Sequence, residues 1–131
     1  MKDFKTLFFF LRLPIAISLA GHGLVRIPKL QAFTEGMIKS MEKSVIPEIL
    51  ITPFGYLLPF LEAILGVVLL IGFKPKPTIY ASFALMSILI LGSSSVENWS
   101  AIEAQILHCL YLFALLWFYL KYSLEEHQSI I

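Results

Sequence analysis

Charge is what this sequence has least of. Only 15% of its 131 residues are Asp, Glu, Lys or Arg, where an ordinary globular domain carries about 25%. With 58% of residues hydrophobic and a mean hydropathy of +0.83, too few polar groups remain to cover a soluble domain of this length. Lipid must therefore stand in for water over most of the surface. A chain this short makes one compact unit, a single transmembrane domain over 1–131 with no separate soluble head. Basic runs are missing too: the formal net charge is +1 and no cluster offers phosphate an electrostatic footprint, which excludes nucleic acid as a partner. The single cysteine, Cys109, lies in an apolar run and rules out an intrachain disulfide or a CxxC redox or zinc site. No nucleotide loop, serine triad or metal-ligand cluster occurs, so an autonomous hydrolase or ATPase is not expected, nor a metal site.

What the chain has is apolar runs of membrane-crossing length. Residues 7–25 are apolar apart from Arg12, Ser18 and His22, enough at about 1.5 Å per residue to cross a hydrocarbon core of about 30 Å. Lys2 and Lys5 ahead of that run, with Ser18-Leu19-Ala20 behind, also have the look of a cleavable leader; Arg12, breaking the run early, favours a retained span. Residues 28–46 change character. Leu30, Phe33, Met37, Met41 and Val45 recur every three or four positions while Lys29, Glu35, Lys39, Glu42 and Lys43 fill the rest, which predicts an amphipathic helix on the membrane surface, bracketed by Pro28 and Pro47. A second span covers 52–73, interrupted by Pro53, Pro59 and Glu62, and the turn Lys74-Pro75-Lys76-Pro77 leads to a third over 78–93, apolar to Leu91 and then small and polar. The fourth, 101–122, leaves the membrane through Trp117, Phe118, Tyr119 and Tyr122, an interfacial belt from which Lys121 reaches the headgroups. The predicted fold is all-α: an integral membrane four-helix bundle with an interfacial helix between helices 1 and 2.

Lysine and arginine set the orientation. Lys2, Lys5, Lys74, Lys76 and Lys121 face one side and Arg26, Lys29, Lys39 and Lys43 the other, a slight bias that places both termini in the cytoplasm of a bacterium and the chain in its inner membrane.

Ionisable groups at membrane depth cost roughly 2.5–3.5 kcal/mol each on insertion scales, so each asks for a partner or a purpose. Arg12, His22, Glu62, Glu103 and His108 are such groups. Counting depth along antiparallel helices brings Glu62 near mid-membrane and Arg12 within reach of it, so these two are expected to pair, either as a structural ion pair fixing register or as part of a site. His22, Glu103 and His108 share the opposite leaflet, and Gln105, His108, Cys109 and Leu112 share a helical face. If that face turns inward, His22, Gln105 and His108 line a polar pocket able to hydrogen-bond a quinone carbonyl or relay protons; a satisfied structural histidine is the bland alternative. Nothing in the spacing of the two histidines asks for haem. Ala16, Ala20, Gly21 and Gly23 on the first span and Ala63 and Gly66 on the second are small enough for close helix contact.

The run Leu11-Arg12-Leu13 through Gly21-His22-Gly23, followed by Lys29-Leu30 and Phe33, resembles the first helix of DoxX-like membrane proteins. Glu62-Ala63-Ile64-Leu65-Gly66 running to Leu70-Ile71-Gly72-Phe73 resembles that family's glutamate-containing second helix, and Asn98-Trp99 entering Gln105 is similar as well. The resemblance implies a four-helix membrane protein, in some members associated with a quinone-linked oxidoreductase acting on thiosulfate and in others found beside redox proteins. Three functions follow as expectations: a quinone-associated or non-catalytic subunit of a membrane redox complex, a structural accessory docking on a larger complex or on its own copies, and a small oligomeric transporter or channel using the intramembrane carboxylate.

Overall fold

The computed structural model describes residues 3–129, and the side chains of 3–123. Lys2, counted in the charge bias, lies outside the described residues. Five helices and one short 3-10 turn follow in order: α1 (Phe4–Arg26), the turn Ile27–Lys29, α2 (Leu30–Ser40), α3 (Glu48–Ile71), α4 (Pro75–Ser95) and α5 (Trp99–Ser129). Four of these segments are long and apolar enough to cross a membrane: α1 together with α2, α3, α4 and α5. The protein is an integral membrane protein, all-helical among the described residues.

Local chemistry sets the helix ends. Pro28 sits in the 3-10 turn, and Lys29 leaves the helical region with φ −131°, so the chain bends between α1 and α2. Gly72 closes α3 in the left-handed conformation, φ 83°, and the N–H groups of Gly72 and Phe73 both return to the Val68 carbonyl, at 3.0 and 3.3 Å. Prolines 75 and 77, read as a turn, open α4, where a missing N–H costs nothing. The serines that follow Leu91 stay helical to Ser95, whose hydroxyl donates to the Gly92 carbonyl at 2.6 Å. Asn98 caps α5, its Oδ1 accepting the Ala101 N–H at 3.3 Å. Pro53 and Pro59, taken from the sequence as interruptions, lie inside an unbroken α3. In lipid, neighbouring helices make good the backbone groups that proline frees.

The amphipathic helix is shorter than the periodicity of 28–46 predicts. It ends at Ser40, where the Met41 N–H already shares the Met37 and Ile38 carbonyls, and 41–47 is turn and loop. Nor does α2 stand apart: past the bend it packs on α3, with Thr34 buried against Gly55.

α1 packs most extensively on α3, α3 meets α4, α4 packs on α5, and α5 closes the ring on α1. The antiparallel register of α1 on α3 is fixed by small residues. A Cβ added to Gly66 would fall 2.6 Å from the Ala20 Cα, and one on Gly23 2.7 Å from the Ala63 Cβ, so the two backbones touch there. Gly21, grouped with these in the sequence, has nothing within 4 Å. One end of the bundle is filled by Ile15, Ala16, Leu69, Ile79, Leu112 and Leu115, and by Phe4 and Phe8 against Phe118 and Tyr119. Phe10, Val25, Leu57, Leu107 and Trp117 point outward, as lipid-facing residues do.

Candidate functional site

At the other end the helices do not close. A cavity of about 520 Å³ opens between the last turns of α1, the underside of α2, the first half of α3 and the facing halves of α4 and α5. Phe33, Met37, Phe54, Leu58, Met86 and Leu89 are among the apolar residues of its wall, and His22, Arg26, Glu62, Gln105 and His108 converge on it. That composition, apolar with a few placed polar groups, and that size are usual for a small-molecule site.

Register delivers the polar groups. With Ala20 against Gly66 and Gly23 against Ala63, Glu62 comes opposite the last turn of α1. Arg26 donates from Nη1 to Glu62 Oε2 at 2.9 Å; the Glu62 side chain is 5% exposed and the Arg26 side chain 27%. The Arg26 guanidinium also lies over the Phe33 ring, 4.6 Å from its centroid, so α2 holds the cation from the other side. The expected Arg12–Glu62 pair does not form. Arg12 instead reaches the end of α3, where its Nη2 donates to the Leu70 carbonyl at 3.4 Å, about two turns from Glu62. The apolar run stops at Val25, whereas the helix carries one residue further and so presents Arg26 to Glu62.

The two histidines are joined through Ser18. His22 Nδ1 lies 2.6 Å from the Ser18 carbonyl, and His108 Nδ1 lies 2.9 Å from the Ala104 carbonyl. A carbonyl only accepts, so both rings carry their proton on Nδ1 and, when neutral, present Nε2 as an acceptor. The Ser18 hydroxyl donates to His108 Nε2 at 3.1 Å, leaving His22 Nε2 as the free acceptor of the pair. The rings stand edge to face with centroids 6.0 Å apart. Gln105 donates from Nε2 to Ser93 Oγ at 3.0 Å, while its buried Oε1 has no partner.

The structure thus brings His22, Gln105 and His108 together and adds Arg26 and Glu62 to them. Arg12 lies at the opposite end of the bundle. Glu103 is exposed on the outside of α5 and does not line the cavity, because it stands two residues from Gln105 and helical neighbours at that spacing face apart. No group of three metal-ligating side chains occurs among the described residues. Chemically, the cavity offers an acceptor at His22 Nε2, the guanidinium donors of Arg26 and the carboxyl group of Glu62, over an apolar wall.

Residues 5–105, more than half of the chain, match a family model described as methylamine utilisation protein MauE. Neither the curated proteins nor the solved structures yield a match. This overturns the resemblance to DoxX-like proteins. The segments that carried it, Leu11 to Gly23 and Glu62 to Phe73, fall inside the match. What they share with other small membrane bundles, an arginine, a glutamate and small residues in apolar helices, is what close packing of two spans demands and is not specific to one family.

Proposed function

The chain belongs to the MauE family, and from that premise we propose that it is a membrane subunit serving methylamine utilisation, without catalysis of its own, which holds a quinone-type molecule in its cavity and works alongside a larger redox assembly. The observation that carries the reading is the convergence of His22, Arg26, Glu62, Gln105 and His108 on one largely apolar cavity of about 520 Å³. A quinone carbonyl accepts from the Arg26 donors, and a quinol hydroxyl donates to His22 Nε2, while Phe33, Phe54 and Met86 cover the ring. Where utilisation of an amine begins with its oxidation, an electron acceptor is required, and a membrane quinone is one.

Extraction of the full chain from its native membrane in mild detergent tests this directly. Quinone in the lipid extract at about one per chain is the expected result, with much less in His22→Phe and in Gln105→Leu, each folded as the parent. Protein without quinone, or quinone undiminished in both variants, would sink the reading. Mass spectrometry of the same preparation is expected to show redox proteins in stoichiometric amount; a chain isolated alone would remove the complex from the proposal. A transport role has less support, because beyond Glu62 the space between the helices is filled by Ala16, Leu69, Ile79, Leu112 and Leu115.

The proposed setting is a bacterial inner membrane with both termini in the cytoplasm, so that the cavity opens toward the outer leaflet. Lys5, Lys74, Lys76 and Lys121 mark the cytoplasmic side. In a Cys109→Ser background, a cysteine in place of Lys39 is expected to react with an impermeant thiol reagent on intact spheroplasts and one in place of Lys76 only after lysis. The reverse pattern would invert the topology.

A further inference from the structure

Arg12 takes no part in the cavity, yet much around it is arranged for its guanidinium. The side chain leaves α1 at the level where α3 ends. A Cβ on Gly72 would lie 2.8 Å from its Nη2, so the glycine that ends α3 also makes room for the cation. The rings of Phe8 and Phe9 flank it, with Cζ 5.1 and 5.2 Å from their centroids. Of the five N–H donors on an arginine, one finds an acceptor among the described residues, the Leu70 carbonyl at a long 3.4 Å, and the buried Nε has no partner among them. The negative end of α3 favours a cation here, but one carbonyl does not balance a full charge at membrane depth.

No carboxylate among the described side chains supplies the balance. The one ion pair among the described residues is Arg26–Glu62. Glu125 and Glu126, whose side chains lie outside the described residues, are carried away by the helix: Tyr111, whose hydroxyl donates to the Leu11 carbonyl at 2.6 Å, marks the level of Arg12, and Glu125 follows roughly 20 Å further along α5. The nearby charges are mostly of the same sign. Lys5 lies two turns back on α1, Lys74, held at φ 42°, sits in the turn that Gly72 begins, and Lys76 stands in the first turn of α4.

We propose that Arg12 and Lys74 form a headgroup site for an anionic phospholipid of the leaflet at this end of the bundle. The planar guanidinium takes the phosphate through paired N–H donors, Lys74 adds the second positive charge, and an acyl chain lies along the half-exposed Phe9. The site is independent of the cavity, which lies at the opposite end.

Full-length protein in nanodiscs of phosphatidylcholine and phosphatidylglycerol, delipidated stepwise and followed by native mass spectrometry, tests the proposal. The unmodified chain is expected to keep one phosphatidylglycerol after phosphatidylcholine is lost, a preference of at least several-fold. Arg12→Gln should abolish the preference and Arg12→Lys retain part of it. Should Arg12→Gln misfold, Lys74→Gln, on the exposed turn, should still reduce the preference while Lys121→Gln leaves it unchanged. Equal loss of both lipids from the unmodified chain, or a preference untouched by Arg12→Gln and Lys74→Gln, would overturn the site. So would displacement of the lipid by inorganic phosphate at matched concentration, which would make free phosphate the ligand.

Discussion

Gly66→Leu is expected to abolish assembly of the bundle, and Gly23→Ala to damage it severely, while Gly21→Ala leaves it unchanged or slightly firmer. At Gly66 a new Cβ meets the Ala20 amide nitrogen and, at 2.6 Å, its Cα; at Gly23 it meets the Pro59 carbonyl and the Ala63 nitrogen. These are backbone atoms of a neighbouring helix, so no rotamer change relieves the clash and α1 must move off α3. Overfilling a well-packed interior usually costs about 1–3 kcal/mol, and a leucine driven into backbone should exceed that range. The loss falls on the largest helix interface of the molecule, in a medium where packing, not exclusion of water, holds helices together. Gly21 has open space around it, and alanine there gains the roughly 0.5–1 kcal/mol by which it outdoes glycine within a helix. Folded yield and melting temperature in detergent of the three variants are the measurement. A Gly66→Leu protein melting with the parent would mean that α1 and α3 do not cross at this point.

The same glycines show how much of the fold was legible in the sequence, and where reading stopped. Spans, turns and the small residues at the crossing could all be picked out, because apolar length and the absence of a side chain are local properties. The register they imply was not carried through. Ala20 on Gly66 and Gly23 on Ala63 put Glu62 beside Arg26, whereas counting depth from the membrane face put it within reach of Arg12. Depth is known only to a turn or so when helix ends are uncertain, and α1 extends beyond its apolar run at both ends. α2 illustrates a different limit. Its apolar stripe was visible, but periodicity shows only that a face is buried. Lipid headgroups were the expected cover, yet Phe33 and Met37 face the cavity and Thr34 packs on Gly55. The histidines and Gln105 were found because polar side chains in apolar helices stand out. Arg26 follows the apolar run and has the sequence character of a loop charge, although the helix includes it.

Arg26→Met and Glu62→Leu, made singly, should each lower stability by about 3 kcal/mol or more, and the double variant should recover most of that loss. Either single change leaves one charge without its counter-ion at 5% or 27% exposure, and a stranded buried charge is what makes breaking such a pair expensive. Replacing both with apolar groups removes the desolvation cost together with the attraction, which is often neutral or stabilising. The two single changes strand different charges: the arginine left by Glu62→Leu keeps the Phe33 ring as a partner, and the carboxyl left by Arg26→Met can shed its charge by taking up a proton. A thermal double-variant cycle in detergent reads these energies, and additive losses would show that the two groups do not interact. The double variant also separates the two roles left open by the pair. If it folds and still carries quinone, the ion pair serves only to lock α1 on α3. If it folds and comes away empty, the pair is retained at a cost in stability because the cavity needs its charges, and the proposed ligand is held from the Arg26 side.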